Sequence, residues 1–419
     1  MTERLLQYIW QFRYFNKNEL LTIEGESVQI IHSGTYNTNQ GPDFTNAKIK
    51  IGDTIWAGSI ELHINSSHWK NHKHTGDANY KNVILHVVWQ HDIDLGLPFS
   101  TVVLQDRVST FLLVKYNYLM NAESFIPCEK NIHQVNELAW ISWKERLLIE
   151  RLQKRSVLVF EFLKKNNNHW EETFWWLLAK NFGVKINSDA FEKIARSIPI
   201  NILAKHKNQI HQLEALLFGQ AGLLENDFDE DYPVLLQREY RFLKNKYQLK
   251  KAVVPIFFLR MRPANFPTLR LAQLAMHVHN SLHLFSSVKE SKSITEIQKL
   301  LNVTANDYWH YHYIFDEITT FKKKNLGIQM MNNIMINTII PVLFAYGTYH
   351  KEDDYKDKAL QWLTAIAAEK NNITNGFELL GIENKNAFDS QALLELKNEY
   401  CSKKRCLDCA VGNKLLRER

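Results

Sequence analysis

The spacing of apolar residues changes once along the chain, and this change limits the fold more than any other feature. Residues 20–106 contain short, β-branched runs that partly alternate in polarity, which is typical of strands. From Glu137 onward, apolar residues such as Leu148 and Leu152 recur at helical spacing. The pattern predicts an α+β protein, with a small β-rich or α/β module over residues 1–130 and a large all-α module over residues 131–419.

Composition sets the broad class of the protein. The chain has 419 residues, of which 45% are hydrophobic and 23% charged, so it can bury a large core. Its net charge of +6 permits a nucleic-acid partner without requiring one. Residues 1–15 resemble an amphipathic helix and not a signal peptide, and the later apolar stretches are too short or too polar to span a membrane. We therefore expect a cytoplasmic protein without a membrane partner.

Two carboxylates and an imidazole are placed to meet on neighbouring strands. Asp43 precedes one predicted strand, whereas Glu61 and His63 project from the same face of the next strand. Gly52-Asp53 between the strands suits a tight hairpin turn, which would bring Asp43 towards Glu61. Such oxygen ligands suit Mg2+ or Mn2+, and the bound ion can activate water. The sequence predicts a metal held by Asp43 and Glu61, with His63 orienting or deprotonating water.

Further side chains that can bind a metal follow in the same region, as supporting or alternative ligands. They are His68, His72, His74, Asp77 and His86. With Glu61 and His63, the histidines could instead bind Zn2+ and leave one position open for water. His86 lies in an apolar strand, where a hydrogen-bonded core histidine is the ordinary finding.

Pro42-Asp43, followed by Glu61-Leu62-His63, resembles the signature of the PD-(D/E)XK nuclease superfamily. In that superfamily the Asp and the Glu bind metal, and a Lys two residues further on helps to activate water. His63 stands where Lys is usual, and the following stretch lacks the usual amphipathic helix. The resemblance implies a restriction-endonuclease-like sheet and a metal-dependent nuclease or related phosphodiesterase that acts on nucleic acid.

A longer set of motifs includes residues 58–63, 82–88 and 262–267, the intervening histidines and the C-terminal cysteines. Together they resemble an uncharacterised family of bacterial proteins, the domain of unknown function DUF2851. This resemblance implies no activity. Two alternatives to the nuclease therefore stay open: a non-catalytic scaffold or partner-binding protein, and a zinc hydrolase of a small molecule or peptide.

Three of the four cysteines are grouped near the end of the chain. Cys401, Cys406 and Cys409 have the spacing C-x4-C-x2-C, and Cys128 is the remaining cysteine. Four thiolates can complete a tetrahedral zinc site or hold an iron–sulfur cluster, with His133 as a substitute for Cys128. The pattern resembles that of iron–sulfur nucleases, although Cys128 follows the proposed catalytic motif here. A structural metal would tie the final helix to the N-terminal module; four unligated thiols are the alternative.

Arginines flank a turn in the helical part. Arg260, Arg262 and Arg270 surround residues 265–267, whose proline is expected to open a helix. Guanidinium groups near a helix N-terminus suit phosphate binding. They could equally bond helix ends and carboxylates inside the helical core.

Overall fold

The computed structural model describes residues 1–417 except residues 73, 75, 253, 260 and 282. The chain divides into two compact units. We call residues 1–143 with 397–419 the sheet unit, and residues 144–396 the helical unit. The division expected from the sequence, at residue 130, differs in where it places residues 131–143 and 397–419. The spacing of apolar residues reports only local structure. It therefore does not show that residues 397–419 pack with residues 1–143.

A mixed sheet forms the centre of the sheet unit. Its strands are β1 (Val28–His32), β2 (Thr35–Tyr36), β3 (Phe44–Ile51), β4 (Thr54–Asn65), β5 (Val83–Gln90) and β6 (Ser100–Val103). The order is β1-β3-β4-β5-β6, and β2 also pairs with β3. Pairing is antiparallel from β1 to β4 and parallel from β4 to β6. The predicted β-rich N-terminal module is confirmed.

The burial of each strand follows from its position in the sheet. β3 alternates, with Ala47 and Ile49 buried and Lys48 exposed, because one face is covered. β5 lies between two parallel neighbours and is buried from residue 83 to residue 88. Gly52 makes the predicted hairpin turn with a φ of 56°, a left-handed conformation that favours glycine.

The remaining regular structure is helical. The α-helices are α1 (Glu3–Phe12), α2 (His68–Asn71), α3 (Thr110–Asn121), α4 (Glu137–Lys165), α5 (Trp170–Phe182), α6 (Ser188–Ser197), α7 (Ile200–Lys205), α8 (Ile210–Gln220), α9 (Asp231–Tyr247), α10 (Pro267–Asn280), α11 (Leu284–Glu290), α12 (Ile294–Leu301), α13 (Tyr308–Tyr311), α14 (Ile328–Ile334), α15 (Ile340–His350), α16 (Asp353–Ala365), α17 (Asn372–Leu379), α18 (Ala387–Glu395) and α19 (Ala410–Arg417). Two π-helical segments, Met335–Ile339 and Leu396–Cys401, follow α14 and α18. The predicted large helical module is confirmed.

The helical unit has its own apolar core. Helices α5, α8 and α10 are buried over most of their circumference, which places them at the centre of the unit. The segment Ile328–His350 is long and apolar enough to cross a membrane by length and composition, and 72% of its most apolar window is buried. A buried core helix passes the same test.

Candidate metal centre

Asp43 and Glu61 lie side by side across β3 and β4. The Asp43 amide donates to Glu61 Oε2 at 3.0 Å, and the Leu62 amide donates to Asp43 Oδ2 at 3.0 Å. Gln7 Nε2 on α1 donates to Asp43 Oδ1 at 2.7 Å. The structure thus brings the two carboxylates together, and both Asp43 oxygens accept hydrogen bonds from the protein.

A β-bulge determines this placement. The pairing of β3 with β4 shifts between Phe44 and Ala47, and Asn46 adopts a φ of 57°. Asparagine tolerates this left-handed conformation better than most residues. The bulge sets Phe44 opposite Ile60 and therefore Asp43 beside the next residue of β4.

Three imidazoles form a cluster, and two of them approach the other oxygen of Glu61. The ligand nitrogens of His63, His72 and His74 all lie within 4.8 Å of one another. Glu61 Oε1 is 3.3 Å from His74 Nε2 and 3.6 Å from His63 Nε2. His63 Nε2 also lies 3.2 Å from His72 Nδ1. His63, His74 and Glu61 are buried, whereas His72 is exposed and gives the cluster its access to solvent.

The fourth imidazole, His86, lies behind this cluster on β5. His86 Nε2 is 2.9 Å from His63 Nδ1, so one of these atoms donates to the other. If His63 Nδ1 carries the proton, its Nε2 is free to bind a metal. This is the usual way in which a second group orients a histidine ligand.

A second group of ligand atoms adjoins the first and shares His72. Glu3, His68 and His72 also place their ligand atoms within 4.8 Å of one another. Glu3 stands in the first turn of α1 and was missed by the sequence reasoning. An acid at that position is ordinarily explained by its interaction with the helix dipole.

Burial dominates the electrostatics of the cluster. Burial, and for Glu61 also the adjacent Asp43 carboxylate, raises the pKa of both acids. Burial, followed by the neighbouring imidazoles, lowers the pKa of His63 and lowers that of His86 to about 4. Neutral imidazole is the form that binds metal, and a bound cation would restore the charge of the carboxylates.

Unpaired nitrogens support the same interpretation. Among the described residues, His68 Nδ1, His74 Nε2 and His86 Nδ1 are buried without a hydrogen-bond partner. Buried polar atoms are rarely left in this state. For His74 the unpaired nitrogen is the one that faces Glu61, so the donor set fits a transition-metal ion.

Asp77 has a different position from the histidines. Its Oδ1 accepts from the Asn79 amide at 2.9 Å and caps the turn Ala78–Tyr80. The ring of Tyr80 stacks on His74 with centroids 3.9 Å apart. In this arrangement Asp77 shapes the loop that carries the aromatic wall of the cluster.

The four cysteines come together in the sheet unit. Cys128, Cys406 and Cys409 are buried and Cys401 is half-buried. Burial raises the pKa of each thiol, and for Cys128, Cys401 and Cys406 charges on other cysteines raise it further. Cys409 accepts hydrogen bonds from the amides of Val411 and Gly412 at the start of α19. The cysteines are not among the described groups whose ligand atoms lie within 4.8 Å of one another, so binding an ion would require their side chains to move closer.

The arginines predicted to bind phosphate belong to the helical unit. Arg260 lies outside the described residues, and Arg262 is exposed. Arg270 is buried and donates to the side chains of Gln273 and Asn265. Its guanidinium group therefore bonds neutral side chains at the start of α10, and not the carboxylates of the alternative interpretation.

These features define a class of protein with a mixed sheet that carries a histidine–carboxylate cluster, and with a separate helical unit. The family model described as "Protein of unknown function (DUF2851)" matches residues 3–372, and the chain belongs to this family. The match includes the whole histidine–carboxylate cluster and ends before Cys401.

No curated protein and no solved structure matches the chain. The resemblance to the PD-(D/E)XK nucleases is accordingly not confirmed by any match.

Proposed function

We propose that the sheet unit is a metal-dependent phosphodiesterase centre whose ion is bound by Glu61, His63, His72 and His74. The observation that carries the proposal is a cluster of three imidazoles whose ligand nitrogens lie within 4.8 Å of one another. Two of these imidazoles approach one oxygen of a buried carboxylate, at 3.3 and 3.6 Å. Imidazole-rich sets of this kind suit Zn2+, Mn2+ or iron better than Mg2+. The ion would supply an activated water and stabilise charge on the substrate.

The second group of ligand atoms favours phosphate esters as substrates. Glu3 and His68 share His72 with the first group, so a second ion could lie next to the first. Paired ions are common in phosphatases and nucleases, where they stabilise the attacking and leaving oxygens. Nucleic acid is the phosphodiester that the sequence resemblance indicates, and we keep it as the first polymer to test.

Asp43 has a positioning role in this proposal. Its amide binds Glu61 Oε2, and its carboxylate is bonded to Gln7 and Leu62. These bonds hold Glu61 so that Oε1 faces the imidazoles. Replacement of Asp43 by Asn should therefore weaken metal binding less than loss of a direct ligand.

The test uses the full chain after chelator treatment and reconstitution with Zn2+, Mn2+ or Mg2+. Metal content is measured together with hydrolysis of bis(p-nitrophenyl) phosphate, single-stranded DNA, RNA, p-nitrophenyl acetate and casein. His72→Ala should weaken metal binding at least about tenfold and reduce hydrolysis, as expected for a lost ligand. Because His72 is exposed, this substitution should leave the fold intact. His283→Ala, at an exposed position of the helical unit, is the matched control.

Three results would contradict the proposal in different ways. Unchanged metal binding in His72→Ala would remove the proposed ligand set. A wild-type chain that neither binds metal nor hydrolyses any substrate would favour the scaffold alternative, with the cluster paired internally. Hydrolysis of carboxylic esters or peptides but not of phosphodiesters would favour the zinc hydrolase of small molecules.

We also propose a structural metal at the four cysteines, either Zn2+ or an iron–sulfur cluster. Their burial in one unit and the amide bonds to Cys409 support it. Anaerobic purification, an absorption spectrum and metal analysis distinguish Zn2+ from an iron–sulfur cluster. Cys406→Ser should lose this metal and keep the metal bound by the histidines. A metal-free wild type with four freely reactive thiols would contradict the proposal.

A further inference from the structure

The helical unit contains a cavity of about 580 Å³ with a strongly cationic lining. Fifteen described residues line this cavity, and they include Lys154, Arg155, Lys180 and Lys185. None of the fifteen is Asp or Glu. Several asparagines and a group of aliphatic side chains complete the wall. The volume lies in the range of pockets that bind small molecules.

Arg155 on α4 is held in place by an irregular turn on the opposite wall. The Ile340 amide donates to Met335 in the π-helical segment, and Pro341 has no amide hydrogen to donate. In a regular α- or π-turn the Ile336 carbonyl would accept a hydrogen bond from the amide of residue 340 or 341. Here it accepts from neither. Arg155 Nη1 donates to this carbonyl at 3.2 Å and to Asn337 Oδ1 at 2.7 Å. π-turns of this type are frequent at functional sites.

The rest of the Arg155 guanidinium group has no protein partner in the described part of the chain. Its hydrogen bonds are those of Nη1, both to neutral acceptors, and no carboxylate lies within ion-pair distance of it. The other N–H groups are not among the buried unsatisfied atoms, so they remain accessible from the cavity that Arg155 lines. The carboxylates of Glu369 and Glu395 act on this guanidinium only from beyond ion-pair distance, so its accessible N–H groups are suited to bind an anion.

The neighbouring lysines differ in how far they are neutralised. Lys180 binds Asp189 at 2.7 Å and Glu192 at 2.9 Å, and Lys154 binds Glu395. Lys185 is exposed at the edge of the cavity and has no ion pair among the described residues. Arg155 and Lys185 are therefore the two cations of this lining that form no direct ion pair in the described part of the chain.

We propose that this cavity binds a small phosphorylated molecule that also has an apolar part, with Arg155 as the main phosphate ligand. The planar guanidinium group suits phosphate oxygens, and Lys185 adds a second positive charge. The aliphatic wall, which includes Leu158, Val184 and Val342, would contact the uncharged part of the ligand. This site lies in the helical unit and does not depend on the metal centre or on its proposed activity.

Binding is tested on the full chain by calorimetry with ATP, AMP, inorganic pyrophosphate and adenosine as probes. We expect ATP or AMP to bind, pyrophosphate to bind more weakly, and adenosine to bind at least about tenfold more weakly than AMP. A chelator is present throughout, so that ions at the histidine cluster do not contribute phosphate binding.

Two substitutions assign the binding to this cavity. Arg155→Gln should weaken AMP binding by about 10- to 100-fold, the effect of a lost charge-assisted hydrogen bond. Lys185→Gln should weaken it several-fold and, being at an exposed position, should not affect folding. Lys164→Gln makes the same charge change at an exposed position of α4 outside the cavity lining and should bind like wild type.

The proposal would be overturned by either of two results. One is that wild type binds none of the phosphorylated probes at 1 mM, taken as roughly the weakest affinity worth assigning to a specific site. The other is that Lys185→Gln and Arg155→Gln bind AMP as tightly as Lys164→Gln. Binding of a DNA oligonucleotide without binding of any small phosphate would be an instance of the first result.

Discussion

Glu214, on α8, should make the stability of the helical unit depend strongly on pH. Its side chain is fully buried and accepts hydrogen bonds from Tyr232 Oη at 2.7 Å and from Trp309 Nε1 at 3.2 Å. Burial raises the pKa of this carboxyl from 4.5 to about 7, and the two hydrogen bonds oppose the shift only in part. The perturbation is the substitution Glu214→Gln, which removes the titration and keeps the shape.

The direction of the effect follows from the raised pKa. Because the folded chain binds the proton more tightly than the unfolded chain, the stabilising contribution is complete below pH 4.5. It is lost as the pH rises through about 7. At about 1.4 kcal/mol per pKa unit, the loss between the two values is about 3 kcal/mol.

The substitution also adds an offset that does not change with pH, because an amide NH2 group replaces one carboxylate oxygen opposite the donors of Tyr232 and Trp309. Such unsatisfied donors cost about 1–3 kcal/mol, independently of pH. The change of the stability difference with pH does not depend on this cost. We therefore expect Glu214→Gln to gain about 3 kcal/mol relative to wild type between pH 4.5 and pH 8.

Hydrogen exchange of the α8 amides measures this local stability, because a chain of two units need not unfold in one step. Glu161→Gln, at an exposed position on α4, is the control and should leave the pH dependence unchanged. Parallel pH profiles for wild type and Glu214→Gln, within about 0.5 kcal/mol, would refute the reasoning.

Three further outcomes are expected. Gly58→Ala should destabilise the sheet unit by about 2 kcal/mol or more in thermal unfolding, because a Cβ there would lie 2.5 Å from the carbonyl oxygen of Asn82. Gly327→Ala, where the space is open, should differ little; equal melting shifts would argue against the steric cause. His63→Ala should abolish metal binding at the histidine cluster, and full metal occupancy in that variant would exclude His63 as a ligand. Cys406→Ser should lower total metal content without changing phosphodiester hydrolysis.

Local patterns determined the regular elements of this protein well. The eight-residue β3 and the 29-residue α4 have the bounds that alternation and helical spacing predict. Gly52 forms the expected hairpin turn, because only a left-handed conformation closes it and glycine adopts that conformation easily. These outcomes depend on residues close together in sequence, so the sequence alone contains the necessary information.

The spacing of apolar residues did not predict where one helix ends and the next begins within a continuous periodic stretch. Residues 202–224 carry continuous apolar spacing, yet the structure has two helices there, α7 and α8, which end and begin around residues 206–209. His206 turns away from the helix to contact Gln212 and Tyr247. Tertiary hydrogen bonds thus overrode a local preference.

The candidate sites needed the tertiary structure. The sequence indicated that Glu61 and the histidines belong together, but the bulge at Asn46 and the arrival of Glu3 from α1 depend on contacts across the sheet unit. The anion cavity depends on a π-turn that meets Arg155 from 181 residues further along the chain. The spacing of residues along the sequence determines which face of a strand or helix a side chain occupies. Which side chains from other segments contact it is determined only by the packing of segments that are distant in sequence.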